Sequence, residues 1–150
     1  MKTAMIYIVI LAAALLSPVQ KTDVAQLRPI EVVYVCKDAD AVILKTDTED
    51  VGIGVDVISA LEDMKRTSPA VIYLDTARYL VIGTGAQEDA KELQGILKGS
   101  VELCMAEGEP DLELVADYLP AHGKMPRFSE WNKGENLPVL RIENDRIKIS

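Results

Sequence analysis

Between residues 30 and 123 the hydrophobic period changes repeatedly, and this constrains the fold more than any other feature of the chain. Runs rich in β-branched residues, suited to a half-buried sheet, alternate with stretches whose apolar residues recur at helical spacing. Residues 30–37 and 41–46 are two such runs, separated by Asp38, Ala39 and Asp40, and they predict an opening hairpin. From Val55 the period lengthens. Val57, Ile58, Leu61 and Met64 share one helical face, Glu62, Asp63, Lys65 and Arg66 fall mostly off it, and Thr67, Ser68 and Pro69 end the helix. AVIYLDT from Ala70 and RYLVIGT from Arg78 predict two further strands. Ala90, Leu93, Ile96 and Leu97 mark a second helix over about 86–98, with Gly99 as its left-handed stop. Residues 101–106 read as a fifth strand. Pro110 and Asp111 suit the first turn of a short third helix that carries Leu112, Val115, Ala116 and Leu119 inward and stops at Pro120. Residues 138–142 and 146–149, joined through Glu143, Asn144 and Asp145, predict a terminal hairpin. Helices interleaved with strands, some of them tightly joined, predict a single α/β domain. Its mixed β-sheet is covered by about three helices.

The N-terminus follows a different logic. Met1 and Lys2 give a short positive start, and residues 4–16 run without a charge to Ser17 and Pro18. That is the anatomy of a secretory signal, and the run is shorter than the roughly 20 residues that span a bilayer. No small-x-small triplet follows it, so residues 1–20 read either as a cleaved signal peptide or as an uncleaved anchor helix reaching Val19. Both predict export, to the outer face of the cytoplasmic membrane or the extracytoplasmic space. Residues 21–29 form a polar linker, 30–123 the α/β domain, and 124–150 a C-terminal tail ending in the hairpin. The formal charge is −8, and removal of Lys2 with a cleaved signal makes it −9. Such a surface repels phosphate backbones and anionic headgroups, which argues against nucleic acid and electrostatic membrane binding. Cys36 and Cys104 each sit in an apolar run. In an exported chain they are either a disulfide or two buried thiols.

Motifs with chemical content are few. In VIGTGAQ, Gly83 and Gly85 join a strand to a helix, but Glu88 stands where a dinucleotide fingerprint has its third glycine and Asp89 follows it. Two carboxylates repel a phosphate there, so a tight turn is the better reading. TDTEDVGIG (residues 46–54) is acidic but lacks the alternating oxygen ligands and distant glutamate of an EF-hand loop, which makes it a solvated turn and not a metal site. Gly54, Gly83 and Gly85 stay as candidates for a small-ligand site. His122 is the sole histidine, in a loop-like AHGKMP segment, and no glycine-flanked serine or CxxC spacing accompanies it. Neither catalysis nor a cofactor is expected. Phe128 and Trp131, the only Phe and Trp, are candidates for a contact surface or for a plug at the open edge of the core.

Read together, three segments resemble the N-terminal domain of the Ger(x)C family, the outer-surface subunit of spore nutrient germinant receptors. RPIEVVYVCKDAD, followed by a glycine-rich turn, is similar to the strand that opens that domain. DVISALEDMKRTSPAVIYLDTARYLVIG is similar to its helix, Ser-Pro turn and strand pair ending in Val-Ile-Gly, and AQEDAKELQGILKGSVELCMAEGEPDLELV follows its order of helix, strand and small helix. The resemblance covers residues 28–123 and implies a non-enzymatic protein that works by protein contacts within a membrane complex of germinant-receptor-like subunits. Family members are anchored by a lipid on a cysteine at the end of the signal. Residues 17–20 hold none, so the resemblance leaves attachment to residues 4–19 or to a partner. The family's later domains are missing or reduced to residues 126–150. A small extracytoplasmic ligand-binding domain is the alternative expectation.

Overall fold

The computed structural model describes residues 28–132 and 135–150. The expected signal or anchor and most of the linker lie outside them. Among the described residues no helix is long and apolar enough to cross a membrane. The elements are β1 (Val32–Asp38), β2 (Ala41–Thr46), β3 (Val51–Gly54), α1 (Val57–Thr67), β4 (Tyr79–Ile82), α2 (Gln87–Glu92), β5 (Glu102–Ala106), α3 (Leu112–His122), β6 (Val139–Glu143) and β7 (Arg146–Ile149). The strands make one seven-stranded mixed sheet in the order β3-β2-β1-β4-β5-β6-β7. β1, β4, β5 and β6 run parallel at its centre. Antiparallel strands flank them: β2 and β3 on one side, β7 on the other. The four parallel strands need long returns, which the helices supply, whereas tight turns suffice at the margins. Val139–Glu143 and Arg146–Ile149, within the expected C-terminal tail, are therefore part of the sheet.

Alternation along the strands sends side chains to two cores. On the first face Val33, Val35, Leu44, Leu80, Ile82 and Leu103 meet Val57, Ala60, Leu61 and Met64 of α1, Ala90 of α2, and Phe128, Trp131 and Leu137. On the second, Val32, Tyr34, Tyr79, Val81, Cys104 and Ala106 meet Leu112, Val115 and Leu119 of α3, with Met125 and Leu140. α1 starts at a capping box: Asp56 Oδ1 accepts from the Ser59 N–H at 2.7 Å while Ser59 Oγ accepts from the Asp56 N–H at 3.2 Å. α3 is capped by Asp111, whose carboxylate accepts from the N–H groups of Glu113 and Leu114. In the terminal hairpin Asn144 and Asp145 both take positive φ, 51° and 57°, as a two-residue primed turn requires.

Several expectations are corrected. Residues 70–73 form no strand, and Leu74–Thr76 is a 3-10 turn. β1 already occupies the edge of β4 that this segment would need. Instead the Thr76 hydroxyl ties it down, donating to the Ile30 carbonyl at 2.9 Å and accepting from the Ile30 N–H at 3.0 Å. The expected solvated turn over 46–54 contains β3. The second helix is short, passing into a 3-10 turn at Leu93–Gly95, and the left-handed glycines of the described chain are Gly85, Gly108 and Gly123, so Gly99 is no helix stop of that kind. Pro120 lies inside the last turn of α3, which runs on to His122. Ile58 is exposed, and Ala60 fills the place on the inner face of α1 expected of it. Both thiols are free: β4 separates β1 from β5, and two strand spacings place Cys36 and Cys104 about 10 Å apart, beyond disulfide reach.

Candidate functional site

The parallel strands end in loops that part company. After β4 the chain turns through Gly83 and Gly85 to α2 on the first face; after β5 it passes through Gly108 and Pro110 to α3 on the second. Neighbouring strands whose connections diverge in this way open a crevice at their carboxyl ends, where α/β sheets bind ligands.

Side chains of β1 close the second-face side of the crevice. The Tyr34 hydroxyl donates to the Gly108 carbonyl at 3.3 Å. A Cβ at Gly83 would stand 2.8 Å from both the Tyr34 oxygen and the Cys36 Cβ, so close approach to β1 explains this glycine. Burial is the main cause that pushes the Tyr34 hydroxyl and the Cys36 thiol above their ordinary ranges, and burial pushes Cys104 up to about 12. All three groups are protonated at neutral pH, which makes them poor nucleophiles. Gly85 differs from Gly83: it has φ of 81° and open space where a side chain would project.

On the first-face side lies a cleft of about 530 Å³. Met105, Trp131, Leu137 and Val139 give it apolar walls, and Gln87, Glu88, Glu135 and Asn136 give it polar ones. Trp131 is only 8% exposed, and its Nε1 is a buried nitrogen with no hydrogen-bond partner among the described residues. Phe128 is fully buried, with its ring centre 6.1 Å from that of Trp131. The two aromatics thus pack within the first-face core.

A second feature sits at the β3 margin. Gly52 and Gly54 face α1, and the fit is tight: a Cβ would stand 2.0 Å from the Ala60 carbonyl oxygen at Gly52 and 2.3 Å from the Ala60 nitrogen at Gly54. Helix-to-strand packing therefore accounts for Gly54, leaving no room there for a ligand. Alternation puts Val51 and Ile53 on the opposite face, 41% and 54% exposed, opposite Lys45 and Ile43 of β2. Val55 just beyond is 81% exposed. The outer backbone edge of β3 is nonetheless sealed by α1. The Ile53 N–H donates to Asp63 Oδ2 at 3.0 Å and the Thr67 hydroxyl to the Val51 carbonyl at 3.4 Å. The Ile53 N–H, and after it Arg66, holds the Asp63 carboxyl below the usual carboxylate range. A strand edge closed in this way resists addition of another strand, yet the side-chain face stays bare.

The remaining sequence candidates stand apart. His122 is exposed and stacks on Tyr118 with ring centres 5.7 Å apart, its Nδ1 3.5 Å from the Tyr118 hydroxyl. In the acidic segment Asp47 accepts from the N–H groups of Glu31 and Val32, and Asp50 from the Ser68 and Thr48 hydroxyls. These carboxylates fasten the ends of strands. Among the described residues no group of three His, Cys, Asp or Glu is placed to hold a metal. Sequence reasoning missed the bare face, although Val51, Ile53 and Val55 alternate with glycines and carry the signal. No family model, curated protein or solved structure matches the chain.

Proposed function

We propose that this chain is a non-catalytic contact module of an exported, membrane-associated assembly, resembling the N-terminal domain of a spore germinant-receptor subunit. The observation that carries this reading is the bare second face of β2 and β3. At this margin Val51 and Ile53 are exposed and Ile43 is half-buried, and none of the three belongs to the second-face core beneath α3. Exposed apolar surface of this kind on a strongly acidic chain suits a protein partner. With the backbone edge capped by Asp63 and Thr67, the partner packs on side chains and adds no strand. Residues 1–20 deliver the domain to the outer side of the membrane, as a cleaved signal or a retained anchor. The half-buried Cys36 and buried Cys104, both with thiols raised above their ordinary range, and the isolated His122–Tyr118 stack are consistent with a role that makes no bonds.

The test uses the double variant Val51→Lys, Ile53→Lys in the producing cell. The natural chain should run in a species larger than a monomer, and the variant should run as a folded monomer of unchanged melting temperature. A variant retained in the same large species contradicts the proposal.

A further inference from the structure

We propose that the outer edge of β7 accepts an extended, acidic segment of a partner protein as an added strand. This edge lies at the opposite end of the sheet from the proposed docking face, so either can fail without the other. The two edges of the sheet are finished differently. At β3 the side chains of Asp63 and Thr67 reach over from α1 and occupy outward backbone groups. At β7 nothing equivalent occurs among the described residues. Val139 and Ser150 exchange both N–H···O bonds, at 2.9 and 3.1 Å, which fixes the phase of the β6–β7 ladder. Pairs two residues along repeat that arrangement. Arg146 and Lys148 therefore bond to β6, whereas the backbone N–H and C=O groups of Ile147 and Ile149 point away from it. No hydrogen bond from another described element reaches those outward groups. Extended peptides add to sheet edges of this kind.

The side chains beside that edge set the class of strand. Alternation puts Ile147 and Ile149 on the second face, packed at the rim of the core beneath α3, and the exposed Arg146 and Lys148 on the first. Next to Ile147 a groove of about 230 Å³ runs along the flank of α3, lined by Leu114, Asp117 and Tyr118 with Asp145 of the hairpin turn. It can take an apolar side chain from an incoming strand. On the first face Glu143 stands opposite Arg146 but bonds Lys148 instead, at 2.5 Å, and Arg146 has no ion pair among the described residues. Carboxylates at alternate positions of the incoming strand would meet these cations, a favourable cross-strand pairing. The same cations disfavour a second copy of this chain. Antiparallel self-pairing along β7 would set Lys148 against its own twin or against Arg146, like charges directly opposite.

Amide hydrogen exchange, read by NMR on the natural chain, tests the edge with a capped peptide of alternating valine and glutamate. In the free protein the Ile147 and Ile149 amides should exchange at least about tenfold faster than that of Lys148, which bonds to β6. The peptide should protect both saturably, at roughly millimolar concentration for a short segment ordered on binding. A peptide with lysine in place of glutamate should bind about fivefold more weakly. One methylated at its valine nitrogens, which face β7 in antiparallel register, should give no protection. Lys148→Glu keeps an opposite charge across the ladder in Arg141 and should reverse the preference between the glutamate and lysine peptides. Absence of protection by the glutamate peptide overturns the proposal. Protection by the methylated peptide does so too, since that is association without strand addition. Equal affinity for the lysine and glutamate peptides overturns the acidic class. Slow exchange at Ile147 and Ile149 in the free protein also overturns it: with concentration dependence a second copy holds the edge, and without it the chain itself does.

Discussion

The two faces of the sheet are finished to different degrees. On the first face α1 and α2 cover the strands from β3 to β5, Phe128, Trp131 and Leu137 extend that core toward β6, and at β3 the packing is so close that two positions accept only glycine. On the second face α3 covers the centre and the β7 side, and the β2–β3 margin stays open. One strand carries both outcomes, since Gly52 and Gly54 face the helix while Val51 and Ile53 face solvent. The same four residues therefore separate stability from the proposed docking: the inward positions hold α1 in place, and the outward ones can change without disturbing it.

Substitutions should divide along that line. Phe128→Ala empties a fully buried site and should cost about 3–5 kcal/mol in urea unfolding; a loss under about 1 kcal/mol would show that the first-face margin is not packed as described. Gly52→Ala drives a methyl group into the Ala60 carbonyl, and should cost about 3 kcal/mol by the same measurement. Asp47, at the end of the sheet, gives a smaller effect with a definite sign. Burial raises its carboxyl above the ordinary range despite the N–H groups of Glu31 and Val32. A raised acid contributes stability that is present in full below its unfolded pKa and is lost as pH rises through the folded value. Asp47→Asn keeps an oxygen for both N–H groups, so its stability relative to the natural chain should improve from pH 3 toward neutrality. A difference that is flat with pH rejects this. Ile53→Lys, on the open face, should shift stability by no more than about 0.5 kcal/mol.

Much of the architecture was legible because local signals and tertiary packing agree. The α1 period, the Pro110–Asp111 start of α3 and the Asn144–Asp145 turn each specify their element without help from distant residues. The failures come where partners decide. Val51–Gly54 lacks a strand-like composition because its inner positions must be glycine beneath α1, a need visible only with the helix in place. Residues 70–73 have a strand's composition, yet β1 takes the pairing edge, leaving Val71 and Tyr73 exposed. Phe128 and Trp131 read as surface or plug, the plug being preferred, because sequence alone does not show which way the chain crosses the sheet after α3. Of the glycines proposed for a ligand, Gly85 alone keeps open space, two residues before Gln87 enters the cleft wall.

The docking claim is tested most directly by placing a photo-crosslinking amino acid at position 53 and, as a control, at the similarly exposed position 71, in the cell that makes the protein. Illumination should yield a discrete covalent adduct with another protein from position 53 and none from position 71. Equal adducts from both, or none from position 53 in cells where the chain is folded and exported, would contradict the account.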